Sequence, residues 1–216
     1  VVAQITSGTA FDKHGRPFRR RNVVPAIVVF AVLAIATGAV WVVAFNQPTD
    51  VKQAVACNPP PPAADATQTA LGTQVSASTM TDVTPAKLAD TKIRVLNASG
   101  QGGQAAEVAG ALRDLGFAPP TAGNDTVYEN TRLTCQGQIR FGPAGRAAAA
   151  ALWLVAPCTE LYQDQRPDDT VDLAIGTDFT EVSHNDDTDA VLASLKPDAT
   201  QPADPALLKK VHSTSC

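Results

Sequence analysis

The stretch Ile93-Arg94-Val95-Leu96-Asn97-Ala98-Ser99-Gly100-Gln101-Gly102-Gly103-Gln104-Ala105 decides the fold class. Ile93 and Val95 alternate with Arg94, the period-two pattern of a strand with one buried face. Asn97 to Gly103 is turn chemistry. The period then changes: Ala105, Val108, Ala109, Leu112 and Leu115 fall on one side of a helix. Gly116 is placed to end that helix. A strand, a tight turn and an amphipathic helix make the opening of an α/β unit.

The pattern continues downstream. Phe117-Ala118-Pro119-Pro120 reads as a short edge segment, because proline cannot serve a central strand. Residues 121–131 are polar and turn-rich. Gln138 to Gly142 is a second clear strand, and Pro143 suits the first position of a second helix. Ala147 to Val155 is apolar on every side and is therefore expected to be buried or covered by a partner. Pro157 stops it. Glu160 to Tyr162 and Val171 to Ile175 read as two further strands. This order favours a small two-layer α/β domain, with two helices packed on one mixed sheet. After Val182 the pattern fades into a polar tail, 183–216, with helical stretches at Asp186–Leu195 and near Pro205–Val211.

Upstream, Val23 to Phe45 is free of charge and long enough as a helix to span the roughly 30 Å hydrocarbon core. A cleaved signal peptide fits less well. The Ala54-Val55-Ala56 pattern lies well beyond the apolar run, which is itself too long for such a signal. A lipid-modified Cys57 fits poorly too, since Asp50 and Lys52 precede it. Residues 1–22 carry five basic side chains against Asp12, and Arg19, Arg20 and Arg21 abut the apolar segment. The positive-inside rule then expects a cytoplasmic tail, one transmembrane helix (23–45) in the plasma membrane, and everything after it outside the cytoplasm. Residues 46–90, with the run Pro59 to Pro62 and few large apolar side chains, read as a linker. The folded domain is expected at 91–182.

The chain beyond residue 22 has 12 basic and 20 acidic residues. It lacks the clustered basic face that nucleic-acid binding requires, and no nucleic-acid partner is expected. Cys57, Cys135, Cys158 and Cys216 all follow the apolar segment at spacings far from metal or redox motifs. In an oxidising compartment they read as two disulfides. A strand of five residues covers about 17 Å, and a returning helix of fourteen covers about 21 Å. That geometry expects Cys135 to meet Cys158, leaving Cys57 for Cys216.

Chemistry-bearing motifs are sparse. Gly100-Gln101-Gly102-Gly103-Gln104-Ala105 fits a dinucleotide fingerprint, and Asp125 lies about 20 residues on. Pro119-Pro120 stands where a buried parallel strand would follow, so the glycines read as a tight strand-to-helix turn and no cofactor is expected. His14, His184 and His212 lie outside the expected core and lack metal-ligand spacing. Asp168-Asp169 and Asp186-Asp187 read as solvated turns. Asn97-Ala98-Ser99 and Asn124-Asp125-Thr126 match glycosylation sequons, which matter only where that machinery exists. No catalytic residue and no metal site is expected. The turn carrying Asn97, Ser99, Gly100 and Gly103 is the candidate binding feature.

Three segments in order carry a family resemblance. The first runs from Ile93 to Gly100, with Gly103-Gln104-Ala105 and Leu112 to Phe117. The second is Ile139-Arg140-Phe141-Gly142 before an alanine-rich helix. The third is Asp172 to Phe179. Together they resemble the LytR C-terminal domain family over about residues 91–181. The resemblance implies a role in keeping a cell envelope intact, with a cell-wall glycan, a lipid or an envelope protein as partner. In LytR-CpsA-Psr ligases this domain follows a larger catalytic domain. Here the preceding space lacks an arginine cluster for a pyrophosphate, so ligase activity is not expected of this chain. The alternative is an accessory subunit of such a ligase.

Overall fold

A computed structural model describes residues 23–46, 56–61 and 71–212. The chain divides after Thr49 into two compact units. The first contains helix α1 (Val24–Asn46), whose window Val24–Trp41 is apolar and long enough to cross a membrane. Its described side chains are exposed, Phe30 at 76 %, as a helix solvated by lipid requires. The Arg19–Arg21 cluster lies outside the described residues.

The second unit is a six-stranded mixed sheet with helices layered on one face. Its strands are β1 (Thr73–Val75), β2 (Ile93–Asn97), β3 (Thr121–Asn124), β4 (Gly137–Phe141), β5 (Glu160–Gln163) and β6 (Val171–Ile175), in the order β1-β5-β4-β6-β2-β3. β4 runs parallel to β5 and antiparallel to β6, and β6 runs parallel to β2. The register places Val95, Leu173, Ile139 and Leu161 in one row across the sheet. All four are buried under the helices.

The helical layer contains a short turn α2 (Ala77–Met80), α3 (Gln104–Asp114), α4 (Arg146–Trp153), α5 (Asp186–Ser194) and α6 (Pro205–His212). α3 presents Ala105, Val108, Ala109 and Leu112 to the sheet, as its periodicity requires. Gly116, at φ +102°, takes the left-handed position just beyond its end. α4 is buried from Ala148 to Trp153 because it is covered twice. The sheet lies on one side, and Val191, Leu192, Leu195 and Val211 of the C-terminal helices join the same core. α4 also ends earlier than expected, at Trp153, with Pro143 to Gly145 forming a separate 3-10 turn before it.

The folded unit is therefore larger than 91–182 on both sides. Part of the expected linker is structural. β1 pairs antiparallel with β5, and Met80 and Leu88 are fully buried. Isolated apolar residues in a polar stretch carry no period, which hides them from pattern reading. The expected polar tail likewise supplies α5 and α6 to the core. The edge strand is β3 rather than Phe117–Pro120. It begins immediately after the two prolines, whose missing N–H groups it avoids.

The other face of the sheet carries Arg94, Gln138, Arg140, Glu160, Tyr162 and Asp172, the alternate residues of the same strands. Near β4 this face is roofed by residues 125–135 and by the segment around Cys57 and Asn58. Cys57 forms a disulfide with Cys135, with Cα atoms 4.9 Å apart. Asn58 accepts from Thr134 N at 2.7 Å and donates to the Arg132 carbonyl at 3.0 Å. Tyr128 Oη donates to the Asn58 carbonyl at 2.9 Å. Under this roof Arg140 Nη1 donates to Asp125 Oδ2 at 2.6 Å, with the two side chains 6 % and 0 % exposed. Arg140 Nη2 donates to Gln138 Oε1 at 2.8 Å. Asp125 Oδ1 also accepts from Tyr128 N at 2.8 Å.

The bridge corrects the expected pairing of Cys135 with Cys158. Parallel pairing of β4 and β5 does bring both cysteines to one end of the sheet. Element lengths, however, do not fix which face a side chain takes. Cys135 lies in the roof cluster with Tyr128, Leu133 and Ala174. Cys158 follows Pro157, whose carbonyl accepts the Trp153 indole N–H at 3.0 Å. Cys158 is itself disulfide-bonded, and Cys216, outside the described residues, is the one cysteine left in the sequence.

Three outcomes are expected. Peptide mapping without reduction yields Cys57–Cys135 and Cys158–Cys216, and a Cys57–Cys158 peptide would contradict this. The Cys57–Cys135 loop, with a separation of 78 residues, is long. The chain-entropy model assigns such a bridge about 4.5 kcal/mol, and its replacement by serines is expected to cost about 2–4 kcal/mol in urea unfolding. Third, Arg140→Met strands the Asp125 carboxylate in the interior and is expected to cost about 3–5 kcal/mol. Adding Asp125→Leu should recover much of that loss. Additive losses in the double variant would contradict the account of this pair.

Candidate functional site

The turn after β2 is built by Asn97 and Ser99. Asn97 Oδ1 accepts from Ser99 N at 3.1 Å and Gly100 N at 3.2 Å, and its Nδ2 donates to the Gln101 carbonyl at 2.6 Å. Ser99 Oγ lies 2.6 Å from Gln104 Oε1 and accepts from Gln101 N at 3.0 Å. Gln104 Nε2 donates to the Phe179 carbonyl at 2.8 Å. Gly103 sits at φ +85° as the helix cap, a conformation suited to glycine. A Cβ on Gly100 would come within 2.9 Å of Arg132 Nε. The structure thus brings Asn97, Ser99, Gly100 and Gly103 together, but their polar side chains are spent on holding the turn and docking α3. Asp125, the acidic residue of the apparent fingerprint, is committed to Arg140.

A second constellation lies on the part of the polar face that the roof leaves uncovered. Arg94 makes a two-pronged pair with Asp172, at 2.6 and 2.9 Å. Arg166 Nη2 bridges Asp172 at 2.7 Å and Asp164 at 2.6 Å. Burial disfavours the Arg166 charge, but the hydrogen bonds it donates to Asp164 and Asp172 outweigh this and raise its pKa. Tyr162, beside Glu160, has its pKa pushed up to about 12, by burial first and the Glu160 charge second. Arg94 is half-exposed, at 51 % of its side chain. Sequence reading used these strands only for their apolar residues. The signal was Arg94, Arg140 and Asp172 at the alternate positions.

The paired carboxylates separate. Asp168 accepts from Thr170 N at 2.9 Å, which holds its pKa below the usual range, and Asp169 pairs with Lys92 at 3.0 Å. Asp186 and Asp187 open α5, where the helix dipole favours acid, and Asp187 pairs with Lys210 at 2.6 Å. Among the described residues no group of three or more His, Cys, Asp or Glu side chains could hold a metal. His184 is exposed, as expected. His212 is not: it is buried at the end of α6, stacked on Trp153. The sequence hid it because α6 lies in what reads as a polar tail.

Two clefts stand out among the described residues of the domain. One of about 680 Å³ lies beyond the ends of β1 and β5, against Pro143, Gln163, Arg166 and Pro167. The other, of about 760 Å³, lies between residues 81–87 and the C-terminal helices. Val83, Pro85, Leu195 and Leu208 give it an apolar floor, and Lys87 and Lys209 are among its lining. Lys87 Nζ donates to the carbonyls of Ser194 and Lys196, both at 3.2 Å, and so ties the two sides together.

Comparison with known proteins agrees with this architecture. Residues 90–179 match the LytR_C family, described as LytR cell envelope-related transcriptional attenuator. The cell envelope integrity protein Cei of Mycobacterium tuberculosis (strain ATCC 25618 / H37Rv) is 68 % identical over 216 residues, all of both chains. The crystal structure of the soluble domain of a conserved hypothetical secreted protein from Mycobacterium marinum is 69 % identical. It covers 68 % of this chain and all of its own, with a TM-score of 0.67. An apolar helix followed by a domain like that of a secreted relative is the layout of a single-pass membrane protein with an extracytoplasmic domain. Strands β2 to β6 and helices α3 and α4 lie within the stretch that matches LytR_C, and the chain belongs to the family of the cell envelope integrity protein Cei.

Proposed function

We propose that this chain is a non-enzymatic, membrane-tethered factor that maintains cell envelope integrity by binding a cell-wall component, a lipid or another envelope protein. The observation that carries this reading is the full-length match to Cei, helix and domain together. Arg19, Arg20 and Arg21 support a cytoplasmic N-terminus. On this orientation the domain works outside the membrane, where its disulfides persist.

The binding surface we assign is the larger cleft. It combines an apolar floor with polar walls, the usual make-up of a ligand site. The Asn97–Gly103 turn is a weaker candidate, because its side chains already hold one another. The buried charges of the polar face are likewise matched within the domain, which supports structure rather than turnover.

The test uses cells lacking the protein, which are expected to leak and to be sensitised to detergents and antibiotics. The full-length chain should restore the barrier, whereas a secreted domain without residues 1–45 should do so poorly. A full-length chain with Ala199→Arg and Thr200→Arg, half-buried and exposed positions lining the cleft, should fold normally and fail to restore it. Turnover of a lipid-linked glycan by the purified chain would overturn the non-enzymatic reading. Crosslinked membranes yielding a glycopolymer ligase as the dominant partner would favour the accessory-subunit alternative.

A further inference from the structure

His212 is 8 % exposed at the last turn of α6, and its ring stacks on Trp153 with centroids 4.5 Å apart and planes at 22°. Neither ring nitrogen makes a well-formed hydrogen bond among the described residues, and the one polar group that acts on the ring is the backbone of Ala150. Buried polar groups are usually paired, and an unpaired one calls for a reason. A phenyl ring would fill this space without that cost. What imidazole adds is a second charge state near neutral pH. An imidazolium held here would be a buried charge without an anion, which is strongly disfavoured.

Among the described residues no such anion acts on the ring. On α4 the ring faces Trp153 and Ala150, both uncharged. On its own helix Lys209 is exposed and Lys210 is paired with Asp187 of α5. No charged side chain of the described residues acts on the ring. Burial lowers its pKa, and the backbone of Ala150 works the other way without offsetting it.

We propose that His212 is an acid-sensitive latch that holds α6, and with it one wall of the larger cleft, onto α4. Pro205, Leu208 and Lys209 of α6 line that cleft. When α6 is docked the ring is neutral; when α6 is released the ring can protonate. Docking is therefore at full strength above the unperturbed value of about 6.5. It weakens as pH falls from there towards the lower docked value, about tenfold for each pH unit between the two. A Cys158–Cys216 bridge would keep the released helix close, so the change would be local and reversible. The latch rests on the geometry alone; its consequence for binding rests on the proposed role of the cleft.

Trp153 reports on the latch directly, since Trp41 is the one other tryptophan in the chain. The experiment uses the full-length chain carrying Trp41→Phe in detergent, titrated from pH 7.5 to 4.5. Emission is expected to shift to longer wavelength in one step with a midpoint below about 6.5. Amide exchange in α6, corrected for its intrinsic pH dependence, should speed up at least tenfold over the same range. His212→Phe keeps a ring in the stack and should abolish both responses, while His184→Gln should leave them intact. The Ala199→Arg/Thr200→Arg chain should titrate normally even where it fails to restore the envelope, which separates the latch from the function of the cleft. A flat wild-type titration, or an unchanged one in His212→Phe, would overturn the proposal.

Discussion

β4 is buried on both faces, and the rest of the domain is arranged around that constraint. It lies between β5 and β6 in the sheet, so its backbone groups are paired on either side. Ile139 and Phe141 meet the helices, while Gln138 and Arg140 point the other way and are equally enclosed. An enclosed guanidinium is tolerable only with a carboxylate and hydrogen-bond acceptors at hand. Asp125 and Gln138 supply them, and the roof over them must come from somewhere. Residues 125–135 provide part of it. The segment at Cys57 and Asn58 provides the rest, fixed by the bridge to Cys135. A domain of this size has limited apolar surface to bury, and a covalent clasp on its second face offsets that shortage.

Helical cover follows a similar logic. A helix as apolar as α4 cannot face solvent on any side. The sheet takes one side and the C-terminal helices take another, which is why a segment with little periodicity of its own still folds. The place where that cover is chemically imperfect is the His212–Trp153 stack. A buried imidazole with no well-formed hydrogen bond among the described residues makes the outer layer responsive to pH, whereas the sheet beneath depends on ion pairs and apolar contacts. Stability and responsiveness are thus assigned to different layers of one fold.

The sequence made the strong periodic elements legible. The β2–turn–α3 unit, the β4 strand and the β6 strand each show their period over five residues or more, and their order led to the two-layer class. The family resemblance rested on the same segments. What stayed hidden depends on neighbours remote in sequence. β1 is three residues long and has meaning only beside β5. Met80 and Leu88 are single apolar side chains in polar surroundings. The cysteine pairing turned on which face of the sheet Cys135 takes, and that is set by three-dimensional packing rather than by element length. Of the candidate site, the Asn97–Gly103 turn was readable from its residue types, but its self-contained hydrogen bonding was not. The cleft and the burial of His212 were invisible because both depend on the docking of α6.

The central claim is that the segment at Cys57 is a working part of the domain, clasped over its polar face. Native-state amide exchange on the oxidised and the disulfide-reduced protein tests it most directly. The informative amides are Cys57 N, which donates to Glu160 Oε1 at 3.1 Å, and Thr134 N, which donates to Asn58 Oδ1. Both are expected to be protected in the oxidised protein and to lose most of that protection on reduction, while the amides of β6 stay protected. Exchange of Cys57 and Thr134 at unfolded-chain rates in the oxidised protein would contradict the account.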